Sequence, residues 1–204
     1  MQNGQHIRSA FDKALEGIQA NMLKMGGLVE ANIISAAKAL EERDVELAEK
    51  VRERDRQIDN LEELINDGIS RFIAQESPVA TDLRVLLSIL KVSNNLERIG
   101  DHAKNTAKRT HVLLHLKDIE NSQAALRRLS KDVQLMLKDA LDAYINRDAD
   151  LALDVIARDT EVDELYSGLF REFLTYMMED PRNITACMHL SLIHISEPTR
   201  PSRI

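Results

Sequence analysis

Among the acidic residues spaced four apart in this sequence, three Asp/Glu-x-x-x-Asp pairs stand out: Asp55 with Asp59, Glu97 with Asp101, and Asp159 with Asp163. Four residues make slightly more than one helical turn, so within a helix the two carboxylates of each pair are neighbours on one face. Such a like-charge pair costs an isolated helix about 0.2–0.5 kcal/mol unless a cation offsets it. Oxygen-rich groupings of this kind suit Mg²⁺, Mn²⁺ or Ca²⁺, and with an added imidazole also iron or zinc. His102, Asn94 and Asn105 are the neighbouring residues able to complete such a site. A single pair would be read as a solvated face, with Arg52, Arg54 and Arg56 as ion-pair partners of little energetic value. Recurrence at matching positions of an internal repeat reverses that reading.

Other chemistry is poorly supported. His111 and His115 are four apart but lack a third ligand, which makes them surface or packing histidines. The Glu-x-x-His of ferritin-like di-iron bundles is absent, as are His-Glu-x-x-His, a phosphate-cradling Gly-rich loop and a Gly-x-Ser-x-Gly elbow. Met136, Met177 and Met178 read as core filler.

The elements that must position the carboxylates are helices. Aromatics make up 3% of the chain, there is no Trp, and Gly and Pro number only seven and four. That composition favours helix over strand. Residues 8–40 keep a three/four apolar spacing through Phe11, Leu15, Ile18, Met22, Met25, Leu28, Val29, Ile33, Ala36 and Leu40, with Gly26 and Gly27 marking a bend or a close crossing. Asp44 caps a second helix that ends near Gln75. Ser77 and Pro78, read as cap and first-turn proline, open a third that runs to about Leu116. A fourth covers about 122–145, and a fifth runs from a cap at Asp148 to about Glu179. On the third, Leu96, Ile99, Ala103 and Ala107 form the packing side, and Asn94, Glu97, Asp101 and Asn105 the polar side.

The second half repeats the first. Arg43-Asp44 returns as Arg147-Asp148, Val51 as Val155, Arg54-Asp55 as Arg158-Asp159, Asp59 as Asp163 and Phe72 as Tyr176, all at an offset of 104. Ser77-Pro78 returns as Asp180-Pro181 at 103. A period of this size means a duplicated three-helix unit and an all-α fold of two tandem three-helix bundles.

The net charge of −7 and pI near 5.4 argue against a nucleic-acid binder and favour cations or basic partners. A lone cysteine, Cys187, excludes an intrachain disulfide and points to the cytoplasm. Residues 1–8 do not read as a signal peptide, and the apolar runs are too short to span a bilayer.

The segments Asp-x-x-Ile-Asp-x-Leu-Glu at 55–62, Asp82-Leu83-Arg84, and Leu96-Glu97-Arg98-Ile99-Gly100-Asp101-His102 resemble the PhoU family, over about residues 5–190. The resemblance implies metal clusters of iron, zinc, manganese or magnesium at Asp55, Asp59, Glu97, Asp101, Asp159 and Asp163. It also implies homodimerisation and no catalytic activity. The implied role is a cytoplasmic negative regulator of the phosphate-starvation response and of phosphate uptake. Its implied partners are the ATPase of the high-affinity phosphate ABC transporter and a sensor histidine kinase, with the membrane met only through them. A metal-dependent hydrolase or metal-storage bundle using the same carboxylates is the competing reading.

The fourth acidic pair of the pattern is missing. The counterparts of Glu97 and Asp101 fall on Pro198 and Ser202, within a stretch, 191–204, that departs abruptly from the family and holds two prolines unsuited to a helix interior. The expected organisation is therefore a first bundle at 1–117, a second at 118–190 truncated in its third helix, and a non-family tail at 191–204. That tail reads as translated sequencing adapter joined to a gene cut near Leu190.

Overall fold

The computed structural model describes residues 2–119 and 122–191; of the tail expected at 191–204 only Ser191 lies among them, as the last residue of a helix, and the rest lies outside. All of its regular elements are helical: α1 (Gln2–Glu42), α2 (Val45–Glu76), α3 (Ala80–Leu113), α4 (Ser122–Asn146), α5 (Ala149–Glu179), a 3-10 turn (Pro181–Asn183) and α6 (Ile184–Ser191). They form two tandem three-helix repeats, as the duplication predicts. Within the described residues the third helix of the second repeat has 8 residues against 34 in α3. Gly26 and Gly27 sit inside an unbroken α1.

Contacts divide the chain into two compact units that share α1, α2 and α3 between them: one takes Met1–Val29 with Glu53–Asp101, the other Glu30–Arg52 with His102–Ile204. In the first, Ile18, Met22, Met25 and Val29 from α1, Ile58, Leu61, Ile65, Ile69 and Phe72 from α2, and Leu86, Ile89 and Leu96 from α3 are buried. Their three/four spacing gives each helix one apolar stripe. In the second unit Ala36, Ala39, Ala48, Ala103 and Ala107 are buried, small side chains that permit close helix approach. A larger core gathers Leu113, Ile119, Leu126, Leu169, Phe173, Cys187 and Leu190. Here α1 and α4 run antiparallel, with Arg127 on Glu41 (Nε to Oε2, 2.9 Å) and Gln134 donating to Glu30 at 2.6 Å. Glu30 and Gln134 are themselves 104 apart, so repeat-equivalent positions touch.

The repeat extends to turn geometry. Arg43 and Arg147 close α1 and α4 in the left-handed region, at φ 55° and 54°. The next N–H bonds back five residues, Asp44 to Ala39 O and Asp148 to Ala143 O, both at 2.9 Å, the arrangement of a Schellman cap. Each aspartate then caps the following helix, accepting from Leu47 N and Leu151 N at 2.9 Å. Arginine is unfavourable in this conformation by about 1–2 kcal/mol. At Arg43 the side chain compensates by donating to the carbonyls of Leu114 (3.3 Å) and Leu116 (2.9 Å) and to Asp118. Arg43→Ala, which keeps the strain and loses the clamp, is therefore expected to destabilise by about 2 kcal/mol. Arg43→Gly, which relieves the strain, should recover about 1 kcal/mol of that loss in urea unfolding.

The Ser77-Pro78 signal acts differently from its expected role. Proline keeps the preceding residue out of the right-handed helical region, and Ser77 lies at φ 46° with its N–H on Ile73 O at 3.3 Å. It closes α2, and α3 starts at Ala80. Its repeat counterpart keeps the expected role: Asp180 is extended, accepts from Arg182 N at 3.0 Å and carries Pro181 in the first turn. The Arg182 side chain and backbone hydrogen bonds hold the Asp180 carboxyl down to about 2.

Candidate metal-binding face on α2 and α3

Asp55, Asp59 and Glu62 occupy i, i+4 and i+7 of α2, and Glu97 and Asp101 occupy i and i+4 of α3, all within the first unit. The two helices cross closely because α3 carries Gly100 there. A Cβ at Gly100 would stand 3.2 Å from Ile58 Cδ1, 3.3 Å from Ile58 Cγ2 and 3.4 Å from Asp55 Oδ1. Ile58 is fully buried and Asp55 is 1% exposed. The glycine is thus what seats α3 against a buried carboxylate.

Burial of the half-buried Glu97 raises its pKa, and the charges of Asp101, Glu62 and Asp59, with the hydrogen bond that protonated Glu97 donates to the Asp101 carboxylate, push the same way. Both sequence-predicted pairs, α2 and α3, therefore act on one another. Glu62 joins them and was not singled out by the four-residue spacing, although it ends the Asp-x-x-Ile-Asp-x-Leu-Glu stretch. Asn94, one turn before Glu97, donates from its amide nitrogen to Glu62 Oε1 at 3.1 Å and to Leu90 O at 3.2 Å; the opposite amide orientation would set oxygen against oxygen.

A group held in its ionised form against burial and neighbouring charge destabilises the fold. Glu97 is raised above its unfolded value, so stability falls as pH rises from the ordinary Glu range through the folded pKa and regains nothing above it. Glu97→Gln should therefore raise the melting temperature of the metal-free protein at pH 7, and the gain should vanish below about pH 4. Melting curves across pH check the sign.

The donor set is oxygen only, carboxylates with an amide, which fits Mg²⁺, Mn²⁺, Ca²⁺ or ferric iron better than zinc with its taste for imidazole and thiolate. Among the described residues no three His, Cys, Asp or Glu side chains converge tightly enough to ligate one ion. The carboxylates form a face, and Glu62 and Glu97, the longest of them, have the torsional reach to close it. His102 is half-buried and Asn105 exposed, and both belong to the second unit.

Asp159 and Asp163 are exposed on α5. Their neighbour Arg158 pairs with Asp139 at 2.5 Å and Asp154 at 3.0 Å. The positions that the repeat sets opposite this pair, Pro198 and Ser202, lie outside the described residues.

A family model described as the PhoU domain matches residues 22–110 and again 126–196. A phosphate-specific transport system accessory protein PhoU homolog from Caulobacter vibrioides is 40% identical over 189 residues, covering 93% of this chain and 82% of that protein. The homolog from Pseudomonas aeruginosa is 41% identical over 185 residues, covering 91% and 76%. Two crystal structures share the fold. PhoU from Pseudomonas aeruginosa has a TM-score of 0.86 at 40% identity, covering 90% of this chain and 88% of that one. The phosphate transport system regulatory protein PhoU from Streptococcus pneumoniae has 0.78 at 28%, covering 90% and 89%.

Proposed function

Because this chain belongs to the PhoU family, we propose that it is a regulatory accessory of phosphate transport that represses the phosphate-starvation response from the cytoplasm. It acts as an adaptor between the ATPase of the phosphate ABC transporter and a sensor histidine kinase. The observation that carries this reading is the double PhoU-domain match together with 40% identity to accessory proteins of the phosphate-specific transport system. The family is one of regulatory accessory proteins, and a contact function needs no nucleophile or general base. Among the described residues no helix is long and apolar enough to cross a membrane; in the proposed reading the membrane is met through the transporter.

In this reading Asp55, Asp59, Glu97 and Asp101 hold hard cations that offset the mutual repulsion of the α2–α3 face. Asp159 and Asp163 are the corresponding half-site of the second repeat, and the protein works as a homodimer. The test is co-purification. The chain should retain the transporter ATPase and the kinase and release no phosphate from phosphoesters. Turnover that disappears with Glu97→Ala would instead favour a metal-dependent hydrolase.

A further inference from the structure

We propose that the open seam between α4 and α5 is a docking groove for a basic amphipathic helix of a partner protein. The groove has a volume of about 650 Å³. Its floor is apolar, made by Leu135 and Met136 of α4 with Val162, Leu165 and Leu169 of α5. It follows α4 from Ala125 to Met136, about 16 Å or three helical turns at 1.5 Å per residue. A helix laid into such a groove anchors itself through apolar residues on one face, spaced three or four apart.

The groove is not the seat of the third helix of the repeat. α6 runs on the side of α5 that carries Tyr166, whose hydroxyl donates to Ser191 O at 3.0 Å. Glu164 and Gly168, both on the groove, stand two residues either side of Tyr166, about 200° of helical rotation away. The first repeat shuts the equivalent seam, because the Ile18 side chain stands 3.4 Å from where a Cβ on Gly68 would lie. The counterparts of Ile18 and Gly68 at an offset of 104 are Ser122 and Glu172. A Cβ on Gly168 would meet nothing within 4 Å.

The rim selects the sign of the occupant. Four acids, Asp132, Glu161, Glu164 and Glu172, stand against two arginines. Both arginines already have acidic partners, Arg158 in Asp139 (2.5 Å) and Asp154 (3.0 Å), and Arg128 in Asp132 at 3.9 Å. Glu161, Glu164 and Glu172 are exposed along α5. In a chain of net charge −7 this edge repels a second copy of itself and attracts Lys and Arg. An apolar stripe flanked by basic residues complements floor and rim together.

The probe is a fluorescein-labelled synthetic helix of about 14 residues, four turns, with a leucine stripe and lysines on either side of it, titrated with the full chain by fluorescence anisotropy. A second peptide carries glutamate in place of every lysine. The lysine peptide should bind, and the glutamate peptide should bind about tenfold more weakly or worse, with the difference shrinking as salt rises. Gly168→Leu fills open space in the groove and replaces glycine by a better helix former. It should weaken the lysine peptide about tenfold or more, as loss of the central anchoring space predicts, without lowering the melting temperature. Glu161→Lys combined with Glu164→Lys should reverse the order of the two peptides. Equal affinity for both peptides, or lysine-peptide binding untouched by Gly168→Leu, overturns the docking site. So does a chain that binds neither peptide, and so does a dimer undone by Gly168→Leu, which would make the groove an interface between copies.

Discussion

Phe173→Ala is expected to remove about 3–5 kcal/mol of stability, the loss seen when a large buried side chain is truncated and the surrounding core relaxes only in part. Phe173 is 1% exposed and belongs to the cluster that joins Leu169 of the same helix to Leu113, Leu126, Cys187 and Leu190. The figure approaches the whole stability of a small domain. Urea unfolding should therefore show a large fall in midpoint at unchanged slope, or a chain already unfolded at 37 °C. Met178→Ala, on the same helix but 81% exposed, is the control and should stay within about 0.5 kcal/mol of wild type. Equal losses in the two variants would mean that the second repeat does not bury α5 as described.

The second large effect concerns the crossing of α2 and α3. Gly100→Val places a branched Cβ where an unbranched one already meets Ile58 at 3.2 and 3.3 Å and Asp55 Oδ1 at 3.4 Å. Ile58 is fully buried, so the helices must separate, at a cost of about 1–3 kcal/mol or more. Alanine at the same position gains about 1 kcal/mol of helix propensity against a smaller clash, so Gly100→Ala should fall much closer to wild type. The separation also matters to the carboxylates, because Glu62 and Asp59 of α2 act on Glu97 of α3 across this approach. Gly100→Val is expected to weaken Mn²⁺ binding by about tenfold or more, beyond what its stability loss explains. A variant that unfolds more easily yet binds Mn²⁺ as tightly as wild type would show that the crossing does not set the site.

The features legible in the sequence are those with local causes. Arg43-Asp44 and Arg147-Asp148 repeat at 104 because a left-handed closing residue followed by a capping aspartate is decided by a handful of neighbouring atoms, and the two arginines differ by one degree in φ. The apolar stripes of α1, α2 and α3 follow from periodicity alone.

Ser77-Pro78 shows where local signals run out. A serine before proline can begin one helix or end another, and the choice falls to α2, whose last turn recruits the Ser77 N–H. Glu62 was hidden for a different reason. It lies outside the four-residue spacing, and its partner Asn94 is 32 positions away on another helix. Gly100 was visible as a glycine within a helical pattern. That it seats α3 on Asp55 depends on contacts between α2 and α3 that no single-helix pattern contains.

The most direct measurement of the central claim is a phosphate-starvation reporter in cells deleted for their own family member and supplied with this chain. In phosphate-replete medium the chain should return the reporter to its repressed level, and variants that fail to retain the transporter ATPase and the kinase should leave it induced. A reporter that stays fully induced, while the wild-type protein is present, folded and bound to both partners, would contradict the regulatory function.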